Sequence, residues 1–195
     1  MAIFFVLAFG LILAGQVSAQ VKFGPKTESF FKIFSGGTYH MKTTTSAGGV
    51  SAEMELFIKG DRLATTVSSQ GQTVRTILRD NKAYMIMDQM KMIMITPSQG
   101  VYNSGAIDTT GMSFSGSGTA AFAGKNLPYE EYTDNNKDKA QYFIDGNRLA
   151  GVRSISSAAG TVDMVISVLD QNVPDSVFNI PTSGYTVQDM SNIKF

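Results

Sequence analysis

Cysteine and tryptophan are absent from this 195-residue chain, and histidine occurs once, as His40. Without cysteine, no disulfide, no Cys/His zinc site and no lipid attachment at a cysteine is available. Neither sign of charge dominates: 16 Lys and Arg balance 16 Asp and Glu, so no global field draws the chain to nucleic acid or to an anionic membrane. No Asn-x-Ser/Thr sequon occurs, and no glycine-rich phosphate loop or G-x-S-x-G nucleophile motif is present. The first 19 residues carry no charge at all. Their apolar run from Ile3 to Ala14, followed by Val17-Ser18-Ala19, has the length and ending of a secretory signal, although no basic residue precedes it. The run is short for a membrane-spanning helix. The expectation is export to the periplasm or the exterior with cleavage after Ala19, leaving residues 20–195 as a single domain.

What the chain has in excess is methionine in one place. Met85, Met87, Met90, Met92 and Met94 lie inside the segment Ala83–Ile95. With a two-residue loop at Asp88-Gln89, residue 87 faces 90, 85 faces 92 and 83 faces 94, and a four-residue loop keeps that register. All five methionines then share one face, because strand side chains alternate with period 2. Methionine is unbranched and polarizable, which suits a surface that adapts to apolar partners, whereas a tightly packed core favours Ile, Leu and Val.

Upstream, Pro25 to Phe34 reads as a short helix stopped by Gly36-Gly37, with Phe30 and Phe34 one turn apart. Strands then follow, joined by tight turns at Gly60-Asp61, Gln70-Gly71 and Asp80-Asn81. Two-residue turns pair 58 with 63, 67 with 74 and 76 with 85. One face of this meander collects Met54, Leu56, Ile58, Leu63, Val67, Val74 and Leu78 with the five methionines; these twelve are the candidate ligand-binding residues. The other face carries Glu53, Glu55, Lys59, Arg62, Arg75 and Arg79, as expected of an antiparallel sheet with one wet side. That side turns apolar at Tyr84, Ile86, Ile93 and Ile95, which predicts a cover there. Residues 97–119, rich in Gly and Ser, read as a loop or lid. A second β region spans 127–133, 140–145, 148–156 and 161–170, with an apolar stripe at Val162, Met164, Ile166 and Val168. Pro174–Phe178 reads as a single helical turn. The expected fold is mainly β: one strongly curved antiparallel sheet of roughly ten strands, an unclosed half-barrel with one or two short helices over its concave face.

No catalytic constellation emerges. His40 sits in a Thr/Tyr-rich strand and reads as structural or surface. Asp134-Asn-Asn-Lys-Asp138 lacks the sharp-turn glycine of a calcium loop and reads as a polar turn. Glu53 with Glu55 and Glu130 beside Glu131 are carboxylate pairs without further support. The chain is expected to be no enzyme and to need no cofactor or metal. The methionine face has two readings: core packed against the protein's own elements, or the lining of a site for an apolar ligand.

The segments Phe57-Ile-Lys-Gly-Asp-Arg62, Leu78-Arg-Asp-Asn-Lys-Ala-Tyr-Met-Ile86, Tyr142-Phe-Ile-Asp-Gly-Asn-Arg-Leu149 and Val173-Pro-Asp-Ser-Val-Phe-Asn-Ile-Pro-Thr-Ser-Gly-Tyr185 resemble the bacterial lipoprotein-localisation carrier superfamily, including mycobacterial lipid-binding lipoproteins. The resemblance covers most of residues 26–190 and its motifs are structural. It implies an unclosed half-barrel with helices over its mouth that carries acyl chains in its concavity. The partner it implies is a lipid or the acyl chain of a lipoprotein; the alternative is a sensor or adaptor that binds an envelope protein or peptide. The missing lipobox cysteine departs from the anchored members, and the basic residues that hand over cargo in the carriers have no motif here.

Overall fold

A computed structural model describes residues 23–47, 50–98, 112–158 and 160–191. The expected signal segment, 1–19, lies outside them, as does the central part of the expected loop, 99–111. Twelve strands form one sheet in the order β12-β6-β5-β4-β3-β2-β1-β11-β10-β9-β8-β7. Its two ends, β12 and β7, do not pair with each other, so the sheet is not closed into a barrel. Every neighbour pairing is antiparallel except β12 with β6.

The first half is a meander of β1 (Thr38–Ala47), β2 (Val50–Lys59), β3 (Arg62–Ser69), β4 (Gln72–Arg79), β5 (Lys82–Met87) and β6 (Met92–Pro97). Ile58 pairs with Leu63, Val67 with Val74 and Thr76 with Met85, the register that the tight turns predict. At Gln70-Gly71 and Asp80-Asn81 both central residues have positive φ, which matches the twist of a two-residue hairpin. The second half is β7 (Ser113–Phe122), β8 (Lys125–Thr133), β9 (Lys139–Asp145), β10 (Arg148–Ser156) and β11 (Gly160–Asp170), and β11 closes against β1. Residues 113–119, expected as loop, are therefore strand. β7 gains its ladder from β8, and Tyr129 lies over Gly118 so closely that an added Cβ would sit 2.7 Å from its hydroxyl.

A second correction concerns the stripe of β11. The β1–β11 ladder shifts at Lys42/Thr43, so Lys42 pairs with Val168 while Thr43 pairs with Ile166. This bulge reverses the alternation: Met164 and Ile166 face the core, but beyond Ser167 it is Leu169 rather than Val168 that packs there.

Helix α1 (Glu28–Ser35) is the single α-helix of the described residues. Glu28 and Lys32 form an i,i+4 ion pair at 3.0 Å on its outer side, and Phe30, Phe31 and Phe34 are buried on the inner one. Gly37, at φ 66°, ends it in a conformation that suits glycine. Phe31 meets Tyr142 and Tyr132 of the second half while Phe34 meets Tyr39 of the first, so the sheet bends around the helix and this face is the concave one.

The convex face is covered where its charges run out. Ile77, Ile86 and Ile93 are buried beneath Val173 and Phe178, with Tyr84, Ile95, Ile180 and Tyr185 packed alongside. The C-terminal segment makes a one-turn 3-10 helix at Asp175–Phe178 and then β12 (Thr186–Asp189). It is the predicted cover. Arg62 lies 4.6 Å over the Phe178 ring and also bonds Asp175 at 2.7 Å, which ties this strap to β3.

Candidate ligand-binding face

The concave face is divided in two. Beneath α1, Met54, Leu56, Ile58 and Leu63 are buried with Phe30, Phe31, Phe34, Tyr39 and Met41, and Val67 and Leu78 pack against that cluster. Six of the twelve candidate residues thus serve the protein's own core, each large side chain contributing about 1.5–3 kcal/mol by burial. Past Val67 and Leu78 this cluster does not continue among the described residues. Val74, Met85, Met87, Met92 and Met94 are only half-buried and stand outside all three apolar clusters of the described residues.

The hairpin that carries the methionines has a four-residue loop, and contrary to expectation this loop does not keep the 87-to-90 register but moves the pairing by two residues. Met87 faces Met92, Met85 faces Met94 and Ala83 faces Thr96. The four strand methionines stay on the concave face. Met90 does not: it lies in a one-turn 3-10 helix (Asp88–Met90) and is 62% exposed. Lys91 follows at φ 50° and returns the chain to β6. Tyr185 of the C-terminal strap holds this loop from outside through a hydrogen bond to Asp88, and the Lys91 ammonium lies 5.1 Å over its ring. The hairpin is braced on its convex side, and among the described residues no apolar cluster packs on its concave side.

What holds α1 over the other half is a buried polar chain. Glu130, 2% exposed, accepts hydrogen bonds from the backbone N–H of Lys26 (3.1 Å) and Thr27 (3.0 Å) and from the Thr27 hydroxyl (2.7 Å). The Thr27 hydroxyl in turn meets Tyr132 Oη, which accepts the backbone N–H of Gly24 at 2.7 Å. A carboxylate from β8 therefore caps the start of the helix, where orphan N–H groups and the helix dipole favour negative charge. Gly24 makes the approach possible: an added Cβ there would stand 2.3 Å from Glu130 Oε2. Burial also pushes the phenols of Tyr39 and Tyr142 up, so both stay neutral against the aromatic cluster.

The remaining chemistry-bearing residues are accounted for locally. His40 stacks on Phe57 with ring centroids 4.3 Å apart, and its Nε2 lies 2.9 Å from Glu55 and its Nδ1 3.6 Å from Asp170, on the convex face. Glu130 and Glu131 point to opposite faces of β8 and share no proton. Burial alone would raise the Glu131 carboxyl, but hydrogen bonds from Gln141, Lys139 and Ser115 bring it below its ordinary value. Asp134 accepts the N–H groups of Asn136 and Asp138, both at 2.9 Å, which makes the Asp134–Asp138 segment a self-satisfied turn. Among the described residues no group of three His, Cys, Asp or Glu side chains is placed to hold a metal ion.

No family model and no curated protein matches this chain. Solved structures similar to it include an uncharacterized conserved protein from Thermus thermophilus, at 7% identity and a TM-score of 0.54, covering 84% of this chain and 98% of that one. At that identity the likeness concerns the fold, which the two proteins share. Also similar are a LolA superfamily protein from Nitrosomonas europaea (6% identity, TM-score 0.40, 80% of this chain and 99% of that one) and MucB, solved in complex with MucA (10% identity, TM-score 0.39, 71% and 52%).

Proposed function

We propose that this protein is an exported, non-enzymatic binding protein that holds a lipid, or the acyl chain of a lipoprotein, against the open half of its concave face. The observation that carries this reading is the division of that face. One helix seals the aliphatic half, and the half left uncovered among the described residues is built from Met85, Met87, Met92 and Met94 with Val74. Four unbranched thioethers in two facing pairs form a surface that re-packs around guests of different shape. An ordinary core position would favour branched side chains with defined rotamers, as the buried Ile77, Ile86 and Ile93 on the convex side do.

Native mass spectrometry of the protein purified from its own host tests this. The expected result is a mass excess that organic extraction removes and identifies as lipid. A chain that is always empty and takes up no fluorescent fatty acid contradicts the proposal. A co-purifying polypeptide in place of lipid would move the reading to a protein or peptide partner on the same face.

A further inference from the structure

Two fully buried hydroxyl oxygens on the concave face, Thr43 Oγ1 and Thr65 Oγ1, have no hydrogen-bond partner. Buried polar groups are nearly always paired, so each of these calls for a reason. Thr43 is enclosed: it stands between Met54 and Ile166, both core residues, and is 0% exposed. Thr65 is placed differently. Across the strands its row runs Leu56, Thr65, Thr76, Met85, Met94. Leu56 belongs to the sealed half and Met85 and Met94 to the methionine strip, so the buried pair Thr65 and Thr76 marks the boundary between the two. Thr76, directly opposite, is the usual kind of partner for a cross-strand hydroxyl pair, yet Thr65 Oγ1 makes no bond to it.

We propose that the Thr65 hydroxyl donates a hydrogen bond to the carbonyl oxygen of the bound acyl ligand, while the tail runs over Met85 and Met94. This deepens the reading above and rests on it. It makes the cargo a carbonyl-bearing acyl compound, an acid or an ester, rather than a plain hydrocarbon. The distance from Thr65 to Met94 is three strand spacings, roughly 14 Å, which accommodates the proximal part of a long acyl tail. Met85 has the rotational freedom to move aside and admit the head of the ligand to the buried hydroxyl.

The test compares wild type, Thr65→Val and Thr65→Ser for binding of lauric acid, monolaurin and the carbonyl-free probe N-phenyl-1-naphthylamine. Valine keeps the shape and removes the donor; serine keeps the donor. The expected result is that Thr65→Val weakens lauric acid or monolaurin by about tenfold, leaves the naphthylamine unchanged and melts no lower than wild type, since it also removes an unpaired polar atom. Thr65→Ser restores acyl binding. Whichever of the two acyl probes responds tells whether the carbonyl is that of an acid or of an ester. If Thr65→Val binds both acyl probes as wild type does, or weakens all three probes equally, the hydrogen bond is refuted while the acyl site stands. If wild type binds none of the three, both readings fall.

Discussion

Glu130 accepts the backbone N–H of Thr27 at 3.0 Å across 103 positions of sequence. This bond ties the start of α1 to β8 of the second half, alongside the Phe31 contacts with Tyr132 and Tyr142, while Phe34 packs on Tyr39 of the first half. It fixes where the helix cover begins and therefore how much of the concave face stays open.

Replacing Glu130 with Ala leaves the backbone N–H groups of Lys26 and Thr27, just ahead of α1, without their acceptor and leaves the Thr27 hydroxyl only Tyr132 Oη and the longer contact to the Gly24 carbonyl. The expected cost is about 2–3 kcal/mol of stability, measured by denaturant unfolding, with Glu130→Gln intermediate because it keeps an acceptor oxygen. Gly24→Ala should reproduce much of the Glu130→Ala loss, since its Cβ would lie 2.3 Å from the carboxylate. An unchanged Gly24→Ala midpoint would show that the helix start is not held in this way.

The C-terminal strap should loosen in acid. Hydrogen bonds from Lys59 and Arg62 hold the Asp175 carboxyl below its ordinary value. A folded-state value below the unfolded one gives a contribution that is complete above the ordinary aspartate value of about 4 and is lost as pH falls through the folded value. The hydrogen-exchange protection of residues 173–189, relative to the intrinsic rate at each pH, should therefore fall below about pH 4, by a modest factor because the pair is solvent-exposed. In Asp175→Asn this protection should already be lower at neutral pH and should change less on acidification.

Phe178 is the strap's apolar anchor, 3% exposed over Ile77 and Ile86. Phe178→Ala should cost about 3–4 kcal/mol and bare the convex apolar patch, with dye binding or association as its signature. Ligand uptake on the concave face should survive at temperatures where the variant stays folded.

Much of the fold was legible locally. Three tight turns set the register of β2 to β5, and the apolar run Tyr84, Ile86, Ile93, Ile95 on an otherwise charged side announced the strap. The misses have long-range causes. β7 has the composition of a loop and becomes a strand because β8 offers it a ladder. The bulge at Lys42/Thr43, which turns Val168 away and Leu169 inward, is a property of the β1–β11 pairing and leaves no mark in either strand alone. Of the candidate site, the shared face of the strand methionines was readable from period 2. Its division was not, because the helix cover depends on Glu130, and nothing in Leu127-Pro-Tyr-Glu-Glu-Tyr132 shows that one of two adjacent carboxylates is buried. Met90 left the face because the loop took four residues rather than two.

The central claim is that the open half of the concave face takes an apolar guest between Met87, Met92 and their neighbours. Titration of a fluorescent fatty acid into wild type and into Met87→Glu/Met92→Glu, with circular dichroism on both, tests it most directly. These side chains are half-buried and face each other across β5 and β6, so two carboxylates there should leave the sheet folded and make the strip hostile to an acyl chain. The account predicts saturable binding by wild type and at least a tenfold loss in the folded double variant. Equal binding by the two proteins, with both folded, would place the ligand elsewhere and contradict it.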